Sequence, residues 1–438
     1  MTTRTSPFDL SKCARPAILA LEPYRCARDD YKDDGTNILL DANENAYGPG
    51  LALDDGGKLR GTTTDGSSGS ASAIDVDLLG LNRYPDPHQL DLKQDLCNLR
   101  NTHAHTSKTL TPEHLFVGVG SDEAIDALLR AFCVPGKDKI LVCPPTYGMY
   151  SVSAQVNDVA LVKVPLLAPN FGLDVPAITS ALTADRNIKL AYICSPGNPT
   201  AALLKKEDVQ RILEHESWNG VVVLDEAYID FATEGSSLAE WVTEWPNLVV
   251  MQTLSKAFGL AGIRLGAAFT DPAIAKILNS LKAPYNISNP TSQIARAALS
   301  PKHLGVMQRN RDLILEQRER MLKELPKISG VGRFLGGAES NFLLVEMLDV
   351  PGEGGKPSNE TALAVYEALA EEKGVVVRFR GKEHGCLGCL RITVGTAKEV
   401  DRFLKEIKTV LQSIFTSNGK LGAKEEERRE KEASAVVA

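Results

Sequence analysis

"NLVVMQTLSKAFGLAGIRLGAAFTD", residues 247–271, sets two apolar runs, "NLVVMQTLS" and "GIRLGAAFTD", on either side of "KAFGLA". So short a connection has no room for the helical crossover that parallel neighbours need, so one of the two strands is expected to run antiparallel. The same stretch puts Lys256 directly after the first run and Arg264 eight positions on. Taken alone, such a lysine reads as a solvated loop residue, because an unpaired ammonium is costly to bury. Another role has to come from its surroundings.

Five earlier runs have the same character: "LFVGVG" (115–120), "KILVCPP" (139–145), "ALVKVPL" (160–166), "KLAYICSP" (189–196) and "GVVVLDEAY" (220–228). They alternate with helix-like segments, which predicts an α/β fold whose large domain holds a seven-stranded, mostly parallel sheet. Functional residues are then expected outside the carboxyl ends of the parallel strands. Beyond Pro284, the helix-like "HLGVMQRNRDLILEQRERMLKEL" precedes strands in "NFLLVEM", "GVVVRF" and "CLRITVG" and a helix near 397–415, which predicts a smaller α+β domain. The expected division is an N-terminal arm that includes part of the small domain (1–80), a large domain (81–325), a small domain (326–416) and a charged tail (417–438). Residues 52–73, rich in Gly, Ser and Thr, read as a flexible surface insertion.

A chain of 438 residues with 43% hydrophobic content is long enough for a large core, and a net charge of −7 excludes the basic surface that nucleic acid or an acidic membrane requires. Eight cysteines are too sparse for a disulfide framework and several sit inside apolar runs, which suits a reducing compartment. Cys386 and Cys389 form one CxxC without the second ligand pair that zinc needs, so they read as buried small side chains. No signal-peptide core or membrane-length apolar run is apparent, and a soluble cytoplasmic protein is expected.

The strand ends carry the chemistry. "GVGSDEAIDALLRAF" (118–132) brings Gly118 and Gly120 to a helix start whose free amides suit an anion, although alone it reads as an ordinary glycine turn capped by Ser121. It is not a full dinucleotide fingerprint, and Asp122 and Glu123 would repel a phosphate unless they point away. Tyr147 in "CPPTYGMY" is a flat ring able to stack on a planar cofactor or simply to fill the core. Asn198 lies in the Pro/Gly turn "SPGNPTA". Asp225 follows five residues "GVVVL" and, buried, demands a cationic partner; a magnesium-binding role would need a Walker A loop, which is missing. With Tyr228, Ser255, Lys256 and Arg264, the set matches what a pyridoxal phosphate site needs: an amine to form the imine, a carboxylate for the pyridine nitrogen, and donors for the phosphate.

The motifs "SPGNPT", "LDEAY" and "LSKAFGLAGIRLG", in this order and spacing, resemble those of the fold-type I aminotransferases. "LDANENAYGP", "NRYPDP", "GSDEAIDALLRAF", "PPTYGMYSV" and "CLRITVGT" narrow the resemblance to the class II family of histidinol-phosphate aminotransferases, over roughly residues 20–415 without the insertion. Ala201 departs from the pattern, many relatives having glycine there.

The resemblance implies that Lys256 is the Schiff-base lysine and the acid/base that moves the substrate proton. Asp225 would pair with the pyridinium nitrogen, Tyr228 and Asn198 would bond the ring oxygen, and Tyr147 would stack on the ring. Gly120, Ser121 and Asp122, through their backbone, would hold the phosphate with Ser255 and Arg264, and Tyr84 would reach it from the partner subunit, so a homodimer with shared sites is implied. Arg391, Arg378 and Tyr24 would bind the substrates: histidinol phosphate, and glutamate or 2-oxoglutarate. The implied reaction is amino transfer between these in histidine synthesis. A related enzyme of the same cofactor (an aromatic aminotransferase or an amino-acid-phosphate decarboxylase) and a catalytically silent binding module are the alternatives.

Overall fold

The computed structural model describes residues 36–52, 79–352 and 354–436, with 79–80 and 417–436 described by backbone alone. Tyr24 and all of the 52–73 insertion except its first residue lie outside the described residues, as do the side chains of the charged tail. Thirteen strands are present among the described residues: β1 (Ile38–Leu39), β2 (Leu115–Val119), β3 (Lys139–Val142), β4 (Ala160–Lys163), β5 (Ile188–Cys194), β6 (Val221–Asp225), β7 (Leu248–Thr253), β8 (Leu265–Thr270), β9 (Val331–Leu335), β10 (Phe342–Met347), β11 (Val375–Val376), β12 (Arg378–Phe379) and β13 (Cys389–Thr393).

Seven of them form one sheet in the order β2-β8-β7-β6-β5-β3-β4. β8 runs antiparallel to both of its neighbours, β7 and β2, and the other pairs are parallel. The β7–β8 connection is longer than "KAFGLA", spanning 254–264 because both strands stop short of the lysine, yet it holds only the 3₁₀ turn Ala261–Ile263. One such turn cannot carry the chain back across the sheet, so β8 returns beside β7 in the opposite direction.

Alternation along β6 sorts the core into two layers. Val221 and Val223 enter a cluster with Tyr150, Tyr192 and Met251, whereas Val222 and Leu224 enter the larger cluster on the other face. Asp225 has the parity of Val223 and therefore faces the Tyr150 side. In the parallel register Cys194, Asp225 and Met251 are neighbours, so β5, β6 and β7 reach their carboxyl ends together.

A second, antiparallel sheet has the order β12-β13-β10-β9. The expected strand "GVVVRF" is in fact two pieces: β11 pairs in parallel with β1 near the start of the chain, and only β12 joins β13. β9 was not anticipated, its Gly332 and Arg333 hiding the strand pattern; Arg333 is held by the buried Glu346 of β10 at 2.8 Å. The small sheet is fastened to the large one at Gly336 and Gly337. The Gly337 N–H donates to the Thr200 carbonyl at 2.9 Å, and a Cβ on Gly336 (φ +75°) would lie 2.0 Å from that same oxygen.

Candidate active site

A cavity of about 320 Å³ opens at the carboxyl edge of the large sheet, between it and the small sheet. Gly120, Ser121, Asp122, Tyr147, Asn198, Asp225, Tyr228, Ser255, Lys256, Arg264, Arg378 and Arg391 all line it. Tyr84 does not: it is 80% exposed on the surface and stacks on Tyr285, with ring centroids 4.5 Å apart.

At one end, the helix Gly120–Phe132 starts directly off β2. The expected cap at Ser121 is displaced: the helix begins at Gly120, and Val119 holds the cap position without a side-chain bond. Arg264 explains why residue 120 is glycine. Its backbone carbonyl accepts the Gly120 N–H at 2.9 Å, and its Nη2 would meet a Cβ there at 2.7 Å. Of the two acids that threatened to repel an anion, Glu123 turns back to accept from the Val119 N–H and from Asn286 Nδ2. Asp122 faces the cavity, where it accepts from the Tyr147 hydroxyl at 3.2 Å and lies 3.5 Å from Arg264 Nη2. The Thr253 hydroxyl donates to the Ser255 hydroxyl at 2.9 Å and fixes it at this end.

In the middle, Asp225 is buried and receives the Tyr150 hydroxyl at 2.6 Å and the Ala227 N–H at 3.1 Å. Burial pushes its pKa up to about 6, against the lowering effect of these two bonds and of Lys256. Sequence reasoning missed Tyr150, whose only sign was a second tyrosine three residues after Tyr147; it lies in the first turn of the helix Met149–Val156, and Tyr147 precedes that helix. Lys256 donates from Nζ to the Ala42 carbonyl at 3.0 Å and lies 5.7 Å from the centre of the Tyr228 ring. The Tyr228 oxygen accepts from Asn43 Nδ2 at 2.9 Å, which leaves its own proton to donate elsewhere.

At the other end, Arg391 of β13 is fully buried and donates from Nη1 to Asn198 Oδ1 at 2.7 Å and from Nη2 to the Asp41 carbonyl. That contact fixes the Asn198 amide with its NH₂ turned the other way. Burial and the charge of Arg380 push the Arg391 pKa down to about 9. Asp41, Ala42, Asn43 and Glu44 also line the cavity, as does Arg380, and none of these was singled out from sequence. For residues 41–44 the periodicity is too weak to place them. Arg380 had a visible sign, standing two positions from Arg378 in an extended run.

The arrangement therefore holds a primary amine beside a buried carboxylate, with anion donors at both ends of the cavity. A sequence profile of the family "Aminotransferase class I and II" matches residues 71–407. Among curated proteins, the chain is 54% identical to a histidinol-phosphate aminotransferase of Schizosaccharomyces pombe, over 93% of this chain and 99% of that one. It is 46% identical to one of Saccharomyces cerevisiae, with the same two coverages. Among solved structures, a histidinol-phosphate aminotransferase from Sinorhizobium meliloti in complex with pyridoxal-5'-phosphate shares the fold at a TM-score of 0.72 and 22% identity, over 91% of this chain and 97% of that one. A mutant aspartate aminotransferase of Thermus thermophilus has a TM-score of 0.69 at 18% identity, over 91% and 99%. The profile, which spans most of the sequence, and relatives that match it nearly end to end place the chain among the class I and II aminotransferases, in the family of histidinol-phosphate aminotransferases.

Proposed function

We propose that the chain works as a homodimer that binds pyridoxal 5'-phosphate and transfers an amino group between histidinol phosphate and 2-oxoglutarate, a step of histidine synthesis in the cytoplasm. The observation that carries this reading is the meeting of Lys256, Asp225, Tyr228 and Asn198 in one cavity, from the ends of separate elements. The cofactor's shape fits what is there. Gly120 leaves a space that a side chain would fill against Arg264, and Asp225 is a buried carboxylate whose hydrogen bonds among the described residues come from the neutral Tyr150 hydroxyl and Ala227 N–H. A ring nitrogen bearing a proton would supply a cationic partner.

When bound, the cofactor supplies an aldehyde that carries the amino group and a ring that accepts electrons. The Gly120, Ser121 and Asp122 amides, the Ser255 hydroxyl and Arg264 hold its phosphate, as a helix start suits an anion. Asp225 would hold the ring nitrogen in its protonated form, with Tyr150 steadying the carboxylate. Tyr228 through its hydroxyl and Asn198 through its NH₂ would hold the ring oxygen, and Tyr147 would stack on the ring. Lys256 would be the amine that anchors the cofactor's aldehyde, with loss of water, and as a free amine would accept or return the proton at the substrate carbon that bears nitrogen. Arg391, Arg378 and Tyr24 would bind the substrate anions. Tyr84, exposed and outside its own chain's cavity, serves the partner's site. The two sheets support a large domain of 81–325 and a small domain of 326–416, and the pairing of β1 with β11 supports assigning part of the arm of 1–80 to the latter. The cytoplasmic assignment accords with free cysteines at all six described positions, and no described helix is long and apolar enough to cross a membrane.

The test is amino transfer from histidinol phosphate to 2-oxoglutarate, measured beside phenylalanine as donor and with carbon dioxide release monitored. Histidinol phosphate should be preferred, without release of carbon dioxide, and Lys256→Ala should abolish turnover while the circular dichroism spectrum stays unchanged. Turnover that survives this substitution rejects the reading.

A further inference from the structure

Residues 41–44 are bonded both to the small sheet and to the loop after β7. Arg391 of β13 donates to the Asp41 carbonyl and Lys256 to that of Ala42. Asn341, directly before β10, donates from Nδ2 to the Asn43 carbonyl at 3.1 Å and to the Glu44 carbonyl at 3.2 Å. Within this strap the side chain of Asn43 reaches Tyr228, donating from Nδ2 to the hydroxyl oxygen at 2.9 Å.

The direction of that bond is set from behind. The Asn43 N–H donates to Thr393 Oγ1 at 3.2 Å, and the Thr393 hydroxyl gives its single proton to Asn43 Oδ1 at 2.8 Å. With its oxygen engaged in this way, the amide presents its NH₂ to Tyr228. A phenol whose oxygen accepts a bond still has its own proton to give. Among the described residues, the Tyr228 hydroxyl makes the bond from Asn43 and no residue accepts its proton. Tyr228 is buried and lines the cavity, so an acceptor for that proton has to come from the cavity side.

Both partners are held firmly. Asn43 is buried at φ +54°, a conformation that glycine adopts freely and asparagine more readily than most side chains. The Tyr228 ring packs edge-on against Phe342 of β10, with centroids 5.0 Å apart. Phe342 and Thr393 are direct partners in the β10–β13 register, so one pair on the small sheet steers both the phenol ring and the amide.

We propose that Asn43 is a positioning residue for the reaction: by donating to the Tyr228 oxygen it turns the phenolic proton toward the cavity, where that proton serves the ring oxygen of the cofactor. The proposal rests on the placement of Tyr228 at the ring oxygen in the reading above and deepens it.

The test is a pH titration of the visible absorption of the cofactor-loaded protein, which follows the proton shared between the Lys256 nitrogen and the ring oxygen. A donor to that oxygen stabilises its negative charge and lets the shared proton leave at lower pH, so losing the donor moves the midpoint up. Tyr228→Phe should raise the midpoint by about one unit, and Asn43→Gly, which suits the backbone, by about half a unit, on the scale of one hydrogen bond. Asn43→Asp keeps the shape but offers an acceptor in place of the donor, and should raise the midpoint at least as far as Tyr228→Phe. In the Tyr228→Phe protein, adding Asn43→Gly should move the midpoint by no more than about 0.2 unit, because the group it acts through is gone. Lowered melting temperatures with an unmoved midpoint in both Asn43 variants overturn the role of Asn43, as does a rise from Asn43→Gly that is equally large in Tyr228→Phe. An unmoved midpoint in Tyr228→Phe itself is a different result and overturns the placement of Tyr228 at the ring oxygen, on which the proposal stands.

Discussion

Asp225 and Glu226 are adjacent, both buried, and both hold their protons unusually high. Burial lifts each to about 6, from ordinary values of 3.8 and 4.5, despite hydrogen bonds that act the other way. The folded chain without cofactor then binds more protons than the unfolded chain between about pH 4 and 6, so its stability falls as pH rises through that window. The loss for Asp225 alone is on the order of 2–3 kcal/mol at neutral pH. Thermal melts of the cofactor-free protein from pH 4.5 to 7.5 should show this decline, Asp225→Asn should remove about half of it, and added cofactor should restore stability most at the higher pH. A melt that is flat across the range contradicts the assignment. Ala201 is a second residue whose cost can be weighed. It sits at φ +51° and is completely buried. Replacing it with glycine relieves about 1–2 kcal/mol of left-handed strain, but frees the unfolded chain by about 0.5–1 kcal/mol and loses a buried methyl of about 0.8 kcal/mol. Ala201→Gly should therefore melt within about 1 kcal/mol of the parent chain, and a larger stabilisation would show that the strain outweighs the packing.

At the scale of elements, β8 determines how the anion end of the cavity is built. It runs against its neighbours and brings Gly266 beside the turn at Gly120, where an added Cβ would lie 2.4 Å from the Ser121 nitrogen. Gly266→Ala should cost about 1–3 kcal/mol through overpacking and, if the backbone it displaces is the one proposed to donate to the phosphate, also weaken cofactor binding. Gly262, with nothing within 4 Å of its Cβ position, is the control, and Gly262→Ala should stay within about 0.5 kcal/mol. Melting curves and a fluorescence titration with cofactor read both effects, and equal behaviour of the two variants would show that the close approach at Gly266 does not matter. The seven strands of this sheet were legible in the sequence because each is a short apolar run, and β5, β6, β7 and β8 are buried almost throughout, whereas the edge strand β4 is not. The small sheet was less so. β9 carries Gly332 and Arg333, and β11 and β12 divide a run that looked continuous, because their partners lie far apart in the chain.

At the scale of the whole molecule, the position of Tyr84 tests the shared site. If it completes the partner's cavity, Lys256→Ala and Tyr84→Ala damage different halves of the same site. A mixed dimer of the two variants then has one site with both lesions and one with neither. Mixing the two impaired proteins after partial unfolding and refolding should recover activity, approaching about a quarter of that of the parent protein with random pairing. No recovery above the separate variants, with mixed dimers shown to be present by mass, would place Tyr84 outside the site.

What the sequence determined by itself was the order of the large-sheet strands along the chain, the antiparallel return around "KAFGLA", and which side chains stand at strand ends. Those are local matters, set by the alternation of apolar residues and by the length of a connection. Only the tertiary structure decided that Tyr150 supports Asp225, that Asn43 reaches Tyr228, that Glu123 turns away while Asp122 does not, and that Arg380 joins two other arginines. Each of these depends on distances between residues brought together from different parts of the chain, and such distances exist only once the two sheets have packed.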